Sequence, residues 1–440
     1  MADPYVARVI DLTDPASQRI RNLSIEEARA RVADGTAADV RGIDGSFALV
    51  ARVGRRVRLA RSLDRPLRYF LAKEASGPAL VVSDRIDAIR AFLEDEGLAA
   101  QFHPSYTRMV PAHYVVDIEL VGCPDPSPTY ERYFTPALAP LPPDPGVIGE
   151  AYVGALAHEI DGWLEDLPAR EPIGVAFSGG IDSGAVFLVA YDRMRRRGME
   201  LGRLKAFTLS AGKGRDLDQA RAFLEPLGLG LFLEPIEVDP DALDPLEAVR
   251  VVEDYKPLDV ESATMALALC RGIRERYPGW RFLLDGDGGD ENLKDYPIEE
   301  NPELTIRSVV SNPLLYQEGW GVGRMKHSLT YSGGQSRSYS RTYAPLRRLG
   351  FEGFSPFTRP SVIEVAEAIP FAEMAAGNVA RLYALKGEVV TRGVRVVTGL
   401  AMPAFPKRRF QHGALPADEA ARRLSHGEAA YRSHFLARYA

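Results

Sequence analysis

A short run of serine, glycine and aspartate at residues 178–183 (Ser-Gly-Gly-Ile-Asp-Ser) has the composition of an anion-binding loop. Paired glycines let a backbone turn tightly and approach a ligand closely. Serine hydroxyls and the N–H groups at the start of a following helix donate hydrogen bonds to phosphate oxygens. Asp182 would repel a bare phosphate, so its presence makes sense if a magnesium ion bridges carboxylate and phosphate oxygens. The run therefore predicts a phosphate site with Mg²⁺, and the alternative is an ordinary capped strand-to-helix turn.

A second run, residues 285–291 (Asp-Gly-Asp-Gly-Gly-Asp-Glu), places four carboxylates among three glycines. Four acids this close together repel one another unless a cation or protons neutralise them. The glycines again indicate a backbone that lies close to a charged ligand. We therefore expect a charged ligand at this run as well, and the alternative is an acidic surface loop.

Both runs follow short apolar strands, in a region where strands alternate with amphipathic helices. This alternation predicts βαβ units and a parallel sheet with helices on both faces. Ligands on such sheets bind at the carboxyl ends of the strands, so the two runs should meet at one edge. The expected elements are a helix at 147–164, a strand at 173–177, a helix at 184–197, a strand at 204–209, a helix at 217–227, a strand at 231–236, a helix at 263–276 and a strand at 281–284.

The two runs resemble the motifs of a known group of enzymes. Residues 178–183 resemble the SGGxDS pyrophosphate loop of the ATP pyrophosphatase group, whose members adenylate a substrate and release pyrophosphate. Residues 283–291 resemble the SGEGxDE signature of asparagine synthetase-like proteins. By that match Asp290 is a second magnesium ligand alongside Asp182. Asp287 stands where the family carries a glutamate that belongs to its acid–base machinery for amide formation.

A third match lies near the C-terminus. Residues 406–413 (Pro-Lys-Arg-Arg-Phe-Gln-His-Gly) resemble the family's RxKxxFxxG loop. The resemblance assigns Lys407 to the ATP phosphates and to the charge on the reacting centre. Lys386 and Arg392 are similar in spacing to the family's K-x5-R helix. The matches occur in the same order as in the family, and together they cover roughly residues 147–415.

The resemblance implies an adenine nucleotide α-hydrolase-like sheet and a set of site residues. Lys407 and Asp287 are the predicted catalytic residues, and Asp182 and Asp290 are the predicted magnesium ligands. The predicted ATP-binding residues, which include backbone that frames the adenosine, are Ser178, Gly179, Gly180, Asp182, Ser183, Val175, Phe177, Leu209, Ser210, Asp285 and Gly286.

Proline is concentrated at residues 136–146, and this density predicts a linker. We therefore expect one domain at residues 1–135 and a synthetase domain at residues 147–440. The first domain is expected to be α+β, with an amphipathic helix at 86–96. Its expected strands lie at 46–53, 57–61, 69–72 and 79–83, the first two forming a hairpin.

The first domain resembles a class II glutamine amidotransferase of the Ntn type, on residues 44–48, 64–69 and 83–88. That family uses an N-terminal cysteine whose own α-amine acts as the base. Here residue 2 is alanine and Cys123 is the first cysteine, so we expect a degenerate domain that releases no ammonia from glutamine. A retained domain with a lost glutaminase is the pattern of β-lactam synthetases, carbapenam synthetases and lasso-peptide cyclases. In those enzymes an amine of the substrate replaces ammonia.

Composition excludes several classes of protein. The 440 residues include 54 Lys and Arg against 60 Asp and Glu, a net charge of −6, which gives no electrostatic reason to expect nucleic acid. No apolar run approaches the ~18–20 residues of a membrane helix, and the first residues lack the apolar pattern that would predict a signal peptide. The sequence has only two cysteines, which does not predict a disulfide scaffold. Its histidines lack the paired spacing of zinc ligands, so no zinc site is predicted. We expect a cytoplasmic protein.

The combined prediction is an AMP-forming carbon–nitrogen ligase that uses ATP and Mg²⁺. It would adenylate a small-molecule or peptide carboxylate and condense it with an amine that does not come from its own glutaminase. One alternative is a glutamine- or ammonia-dependent asparagine synthetase. Others are a pyrophosphatase that acts on RNA or nucleotides, and a nucleotide-binding pseudoenzyme that serves as an interaction partner. Three questions stay open. They are which carboxylate and amine react, whether these belong to one molecule (ring closure) or to two, and whether the protein forms a homodimer through its first domain.

Overall fold

The structure is a computed structural model, and its described residues form two compact units. The first unit contains the described residues of Met1–Thr135 and Ser433–Ala440 together with Tyr339, and the second contains those of Pro136–Gln317 and Ser340–Arg432. The described residues are 8–74, 77–120, 128–136, 139–212, 214–295, 298–300, 304–311, 339–405, 413–424 and 426–439.

The described part of the first unit is built mainly from two four-stranded sheets. One sheet has the order β1-β7-β6-β8, in which β1 is parallel to β7 and the other pairs are antiparallel. The second sheet is antiparallel, in the order β10-β9-β5-β4, and β2 pairs with β3. The strands are β1 (Arg8–Asp11), β2 (Arg19–Ile20), β3 (Gly45–Ser46), β4 (Ala48–Val53), β5 (Arg56–Arg61), β6 (Arg68–Glu74), β7 (Gly77–Ser83), β8 (Arg108–Met109), β9 (Tyr114–Glu119) and β10 (Thr129–Arg132). The α-helices are α1 (Ile25–Asp34), α2 (Ala37–Arg41) and α3 (Ile86–Asp95), and 3-10 helices lie at Pro15–Ser17, Ala99–Gln101 and Pro104–Tyr106.

Local sequence patterns in the first unit produce the elements that they predict. The hairpin of β4 and β5 is confirmed, and it turns at Gly54, whose φ of 57° suits glycine. The amphipathic helix is confirmed as α3, with Ile86, Ile89 and Leu93 fully buried on one face. These three residues have the spacing of a single helical stripe, which is why the pattern was informative.

The second unit contains a five-stranded sheet in the order β13-β12-β11-β14-β15, and every pairing in it is parallel. This sheet confirms the predicted α/β class. Its strands are β11 (Ile173–Ala176), β12 (Leu204–Ser210), β13 (Leu233–Glu237), β14 (Phe282–Leu284) and β15 (Glu352–Phe354). The α-helices, of which α16 runs on into the first unit, are α4 (Pro145–Asp166), α5 (Ile181–Arg196), α6 (Asp216–Leu224), α7 (Pro245–Val252), α8 (Pro257–Arg276), α9 (Gly289–Asn292), α10 (Ile306–Ser311), α11 (Ala344–Arg348), α12 (Pro360–Glu367), α13 (Phe371–Ala375), α14 (Val379–Thr398), α15 (Ala417–Leu424) and α16 (Glu428–Ala437). Short 3-10 helices lie at Leu201–Arg203, Glu225–Leu227, Gly230–Phe232, Pro240–Ala242, Ile298–Glu300 and Pro356–Thr358, and a π-helical turn spans Tyr339–Tyr343.

Helices cover both faces of this sheet, as the alternation along β12 demonstrates. Leu204 and Ala206 belong to a core cluster shared with α4, α5 and α14. Phe207 and Leu209 belong to a second cluster shared with α8. Successive strand residues point to opposite faces, so the two clusters lie on opposite sides of the sheet.

Helix α4 begins two residues before the predicted start because Asp144 caps it. The Asp144 carboxylate accepts hydrogen bonds from the N–H groups of Gly146 (2.7 Å) and Val147 (3.0 Å), and Pro145 occupies the first helical turn. The described helices include none that is both long and apolar enough to cross a membrane.

The two long helices α4 and α14 touch backbone to backbone. A Cβ atom placed on Gly149 would overlap the carbonyl oxygen of Val389, and one on Gly393 would overlap that of Gly149. Glycine is required for so close an approach, which fixes α14 against α4. Because α14 carries Lys386, this contact sets the position of a lysine that reaches the site described next.

Candidate active site

A cavity of about 540 Å³ opens at the carboxyl ends of β11 and β14, where the two predicted runs meet. Val175 instead lies fully buried in the core of the sheet. Gly179 and Ser210 adjoin lining residues, and Lys407 lies outside the described residues, so its role stays a prediction. The predicted site residues that line the cavity are Phe177, Ser178, Gly180, Asp182, Ser183, Leu209, Asp285, Gly286, Asp287 and Asp290.

The loop after β11 delivers two hydroxyls and a helix start to the cavity. Helix α5 has Gly180 as its N-cap and no side-chain cap, so its first N–H groups are directed beyond the helix end. The Ser178 and Ser183 hydroxyl oxygens lie 3.2 Å apart, and the Ser178 N–H also donates to Ser183 Oγ. Gly179 has a φ of 71°, and a Cβ there would lie only 3.0 Å from backbone atoms of Gln219. The loop is thus a fixed turn with the donors of an anion site.

The loop after β14 packs directly on the first loop. A Cβ on Gly289 would overlap the Asp182 carboxylate, and one on Gly286 would lie 2.8 Å from the Ser183 nitrogen. Gly288, with a φ of 98°, makes the turn between them. The glycines of the second run therefore do two things: they form the turn, and they leave room for Asp182.

Lys386 joins the two loops. Its ammonium group donates to Asp182 Oδ2 at 2.6 Å and to Asp290 Oδ1, and lies 3.4 Å from Asp295 Oδ2. The lysine is only 3% exposed. Burial by itself would lower the pKa of Lys386, but the carboxylates of Asp182, Asp290 and Asp295 hold that pKa well above its usual range. The predicted metal pair therefore converges on one positive charge, which Lys386 supplies.

This arrangement fits a magnesium ion that arrives with phosphates. The described residues contain no group of three or more His, Cys, Asp or Glu side chains suited to hold a metal by themselves. Magnesium commonly uses one or two protein carboxylates and completes its shell with phosphate oxygens and water. Asp182 and Asp290 meet that need, because both already contact a single cationic group beside the phosphate-type loop.

Asp287 lines the cavity and has a perturbed pKa. Burial raises the pKa of Asp287 to about 6, and Glu291 and Asp290 act in the same direction, whereas Arg341 and the Thr342 hydroxyl oppose the rise. Thr342 Oγ1 donates to Asp287 Oδ2 at 2.5 Å. A carboxyl with a pKa near the working pH suits general acid–base catalysis.

The surroundings of Asp287 are held by further buried groups. Arg341 forms ion pairs with Asp259 (3.4 Å) and Glu291 (3.3 Å), two side chains that are almost completely buried. Asp285 is also buried, and it accepts hydrogen bonds from the Ser355 hydroxyl (2.9 Å) and the Asp287 N–H (3.0 Å). Burial, with the nearby charge of Asp287, raises the pKa of Asp285 well above its usual range.

The predicted site residues do not include Lys386, Arg341 or Thr342, although Lys386 belongs to the segment that resembles the family's K-x5-R helix. The sequence does carry a second indication for Lys386. The lysine lies four residues after Leu382 on the apolar face of α14, and a buried ammonium group needs an anionic or hydrogen-bonding partner. Arg341 and Thr342 lie within residues 319–348, a stretch rich in glycine, serine, tyrosine and basic residues whose composition does not distinguish individual site residues.

Comparison with known proteins places a family match on this region. Residues 165–347 match the family model described as asparagine synthase, and the matched region includes both loops. No curated protein matches the chain. The structure of NMN synthetase from Francisella tularensis is 15% identical, covering 50% of this chain and 92% of that one, with a TM-score of 0.23. That of NAD+ synthetase from Burkholderia pseudomallei is 16% identical, covering 58% and 99%, with a TM-score of 0.24.

The TM-scores are too low for either structure to support an inference. The family match is more informative, because it covers the four strands from β11 to β14 and both loops that line the cavity. The chain therefore contains an asparagine synthase-type domain in residues 165–347, a type of domain that implies ATP-dependent ligase chemistry.

Proposed function

We propose that the protein is an ATP- and Mg²⁺-dependent ligase that adenylates a substrate carboxylate and joins it to an amine, with release of pyrophosphate and AMP. The observation that carries this proposal is the convergence of the two loops and Lys386 on one cavity. A volume of about 540 Å³ lies within the range of small-molecule sites, roughly 300–1,000 Å³.

The nucleotide would lie across the carboxyl ends of β11 and β12. Ser178, Ser183 and the first N–H groups of α5 would hold the phosphates, since these donors face the cavity. Phe177 and Leu209 line the cavity as apolar walls that suit the adenine ring. Asp182 and Asp290 would hold the magnesium ion, which neutralises phosphate charge when it is bound.

The chemistry consists of two displacements. An oxygen of the substrate carboxylate attacks the α-phosphorus of ATP, the bond to the β-phosphate oxygen breaks, and pyrophosphate leaves. The amine nitrogen then attacks the acyl carbon, an amide bond forms, and AMP leaves with its bonding electron pair. Asp287, with its pKa of about 6, would accept the proton that the amine loses. Holding both reactants in one cavity supplies the entropic part of the rate enhancement.

The amine would come from the substrate rather than from glutamine. Residues 1–122 contain no cysteine that could serve as the nucleophile for the hydrolysis of glutamine. An assay for glutamate release from glutamine separates this proposal from a glutamine-dependent asparagine synthetase, because we expect no glutamate. Glutamine-dependent AMP formation with aspartate would instead favour the asparagine synthetase.

The direct test is ATP–pyrophosphate exchange with a panel of carboxylates. At least one carboxylate should support exchange, and Asp182→Asn should reduce the rate by about 100-fold or more, because it weakens the metal and phosphate contacts. Asp218→Asn is a matched control, since Asp218 has a side chain that is 78% exposed, and should retain the full rate. Near-normal exchange in Asp182→Asn would contradict the assigned site.

A further inference from the structure

Lys386 supplies, within the protein itself, the positive charge that the proposed metal ligands face. Its ammonium group contacts Asp182 and Asp290 and lies 3.4 Å from Asp295. We infer that Lys386 excludes divalent cations from these carboxylates until the nucleotide binds, so that Mg²⁺ enters only together with ATP. This inference rests on the proposed function, which assigns Asp182 and Asp290 to the metal.

One position between the two carboxylates cannot hold both cations. The Lys386 ammonium lies 2.6 Å from Asp182 Oδ2 and also contacts Asp290 Oδ1. A magnesium ion bound by the same oxygens would lie about 2.0–2.1 Å from each of them. The ion and the ammonium would then be only a few ångströms apart, and their repulsion would be large in a site with little water. The lysine must therefore leave these oxygens before the metal can bind them.

The surrounding structure keeps the lysine and its partners in place. The second loop packs against the carboxylate of Asp182 at the start of α5, since a Cβ on Gly289 would overlap that carboxylate. The backbone contact of Gly149 with Gly393 fixes the helix that carries Lys386. In the protein alone, these contacts hold the Asp182 carboxylate and helix α14 in their places.

The nucleotide provides the second anion that the lysine needs in order to move. Phosphates held by Ser178, Ser183 and the start of α5 would lie next to Asp182. The long, flexible lysine side chain can then transfer its ammonium from carboxylate to phosphate without losing a charged partner. The vacated carboxylates and the phosphates together complete an oxygen shell for the metal.

The removal of Lys386 should therefore create a metal site that needs no nucleotide. In Lys386→Met, the carboxylates of Asp182, Asp290 and Asp295 would lose their ammonium, and a hydrated divalent cation held by Asp182 and Asp290 would offset the uncompensated negative charge. Lys294→Met is the matched control. Lys294 is a second lysine, also only 4% exposed, but its ammonium donates to the Val309 carbonyl (3.4 Å) and lies over the Phe371 ring.

The experiment is a Mn²⁺ titration followed by electron paramagnetic resonance, with and without α,β-methylene ATP. The wild-type protein should bind Mn²⁺ weakly alone, and at least about tenfold more tightly with the analogue. Lys386→Met should gain at least about tenfold in affinity for Mn²⁺ alone, whereas Lys294→Met should not. Adding Asp182→Asn to Lys386→Met should abolish that gain.

Two results would overturn the inference. One is tight Mn²⁺ binding by the wild-type protein without nucleotide. The other is a folded Lys386→Met variant, as judged by near-UV circular dichroism, that gains no affinity. If Lys386→Met does not fold, the wild-type titration decides alone. If the wild-type protein does not bind the analogue at all, the proposed function is refuted. The role of Lys386 in excluding metal would still be decided by whether Lys386→Met gains affinity for Mn²⁺ in the absence of nucleotide.

Discussion

Gly289→Ala tests whether the two loops are packed as tightly as the site requires. The Cβ of alanine would lie 2.5 Å from Asp182 Cγ and 3.1 Å from Asp182 Cβ. Ordinary carbon contacts begin near 3.4–4.0 Å, so the carboxylate must move by about 1 Å. Such a movement would take Asp182 Oδ2 away from the Lys386 ammonium, which now lies at 2.6 Å.

Both stability and chemistry should suffer in this variant. Overpacking of this kind costs about 1–3 kcal/mol, and a misplacement of about 1 Å at a reacting centre costs roughly 100-fold in rate. We therefore expect a lower free energy of unfolding in urea and about a 100-fold loss of ATP–pyrophosphate exchange. Gly154→Ala is the control, because a Cβ on Gly154 in α4 meets nothing within 4 Å, and it should keep full exchange. Wild-type stability together with wild-type exchange in Gly289→Ala would refute the packing described here.

Three other predictions follow from the polar contacts of the site and from the proposed metal. Thr342→Val removes the hydroxyl that helps keep Asp287 ionised, so the pKa of Asp287 should rise above about 6. The acidic limb of the kcat/KM profile should then move to higher pH, while an unmoved limb would separate Asp287 from the proton transfer. Asp285→Asn removes a carboxyl whose pKa is raised in the folded protein. The fold favours the protonated carboxyl, so its contribution to stability is complete below the unfolded pKa and is lost as the pH rises through the folded pKa. Relative to wild type, the variant should therefore gain stability as the pH rises above the unfolded pKa of about 4. Urea unfolding at several pH values measures this gain, and an equal pH dependence of the two proteins would contradict it. Treatment with EDTA should abolish pyrophosphate exchange and added Mg²⁺ should restore it, whereas exchange that persists in EDTA would rule out the proposed metal.

The sheet was predictable because its strands are locally apolar. Residues of β11, β12 and β14 form short hydrophobic runs between helical patterns, and all three are found close to their predicted positions. β15 was not predicted. Its three residues, Glu352–Phe354, carry one charge and one glycine, and they form a strand only through pairing with β14. Propensity gives little information about such a segment, because tertiary pairing decides its conformation.

The candidate site shows the same difference between residues that local sequence reveals and residues that tertiary structure brings in. The two loops are continuous in sequence, so their glycines and acids could be recognised directly. Lys386 could not be assigned in that way, because it lies 204 residues from Asp182 and 96 from Asp290. Val175 was predicted to help frame the adenosine through its backbone. Its side chain is buried in the core of the sheet and does not line the cavity, so that role stays a prediction.

The central claim is that the cavity binds ATP through a metal held by Asp182. The most direct test is thermal unfolding with α,β-methylene ATP, with and without Mg²⁺, for wild type and Asp182→Asn. At about 100 times its Kd, a ligand stabilises the folded protein by roughly 2.7 kcal/mol, which shifts the midpoint measurably. We predict a shift in wild type that requires Mg²⁺ and disappears in Asp182→Asn. The absence of any shift in wild type at millimolar analogue, or an equal shift in Asp182→Asn, would contradict the claim.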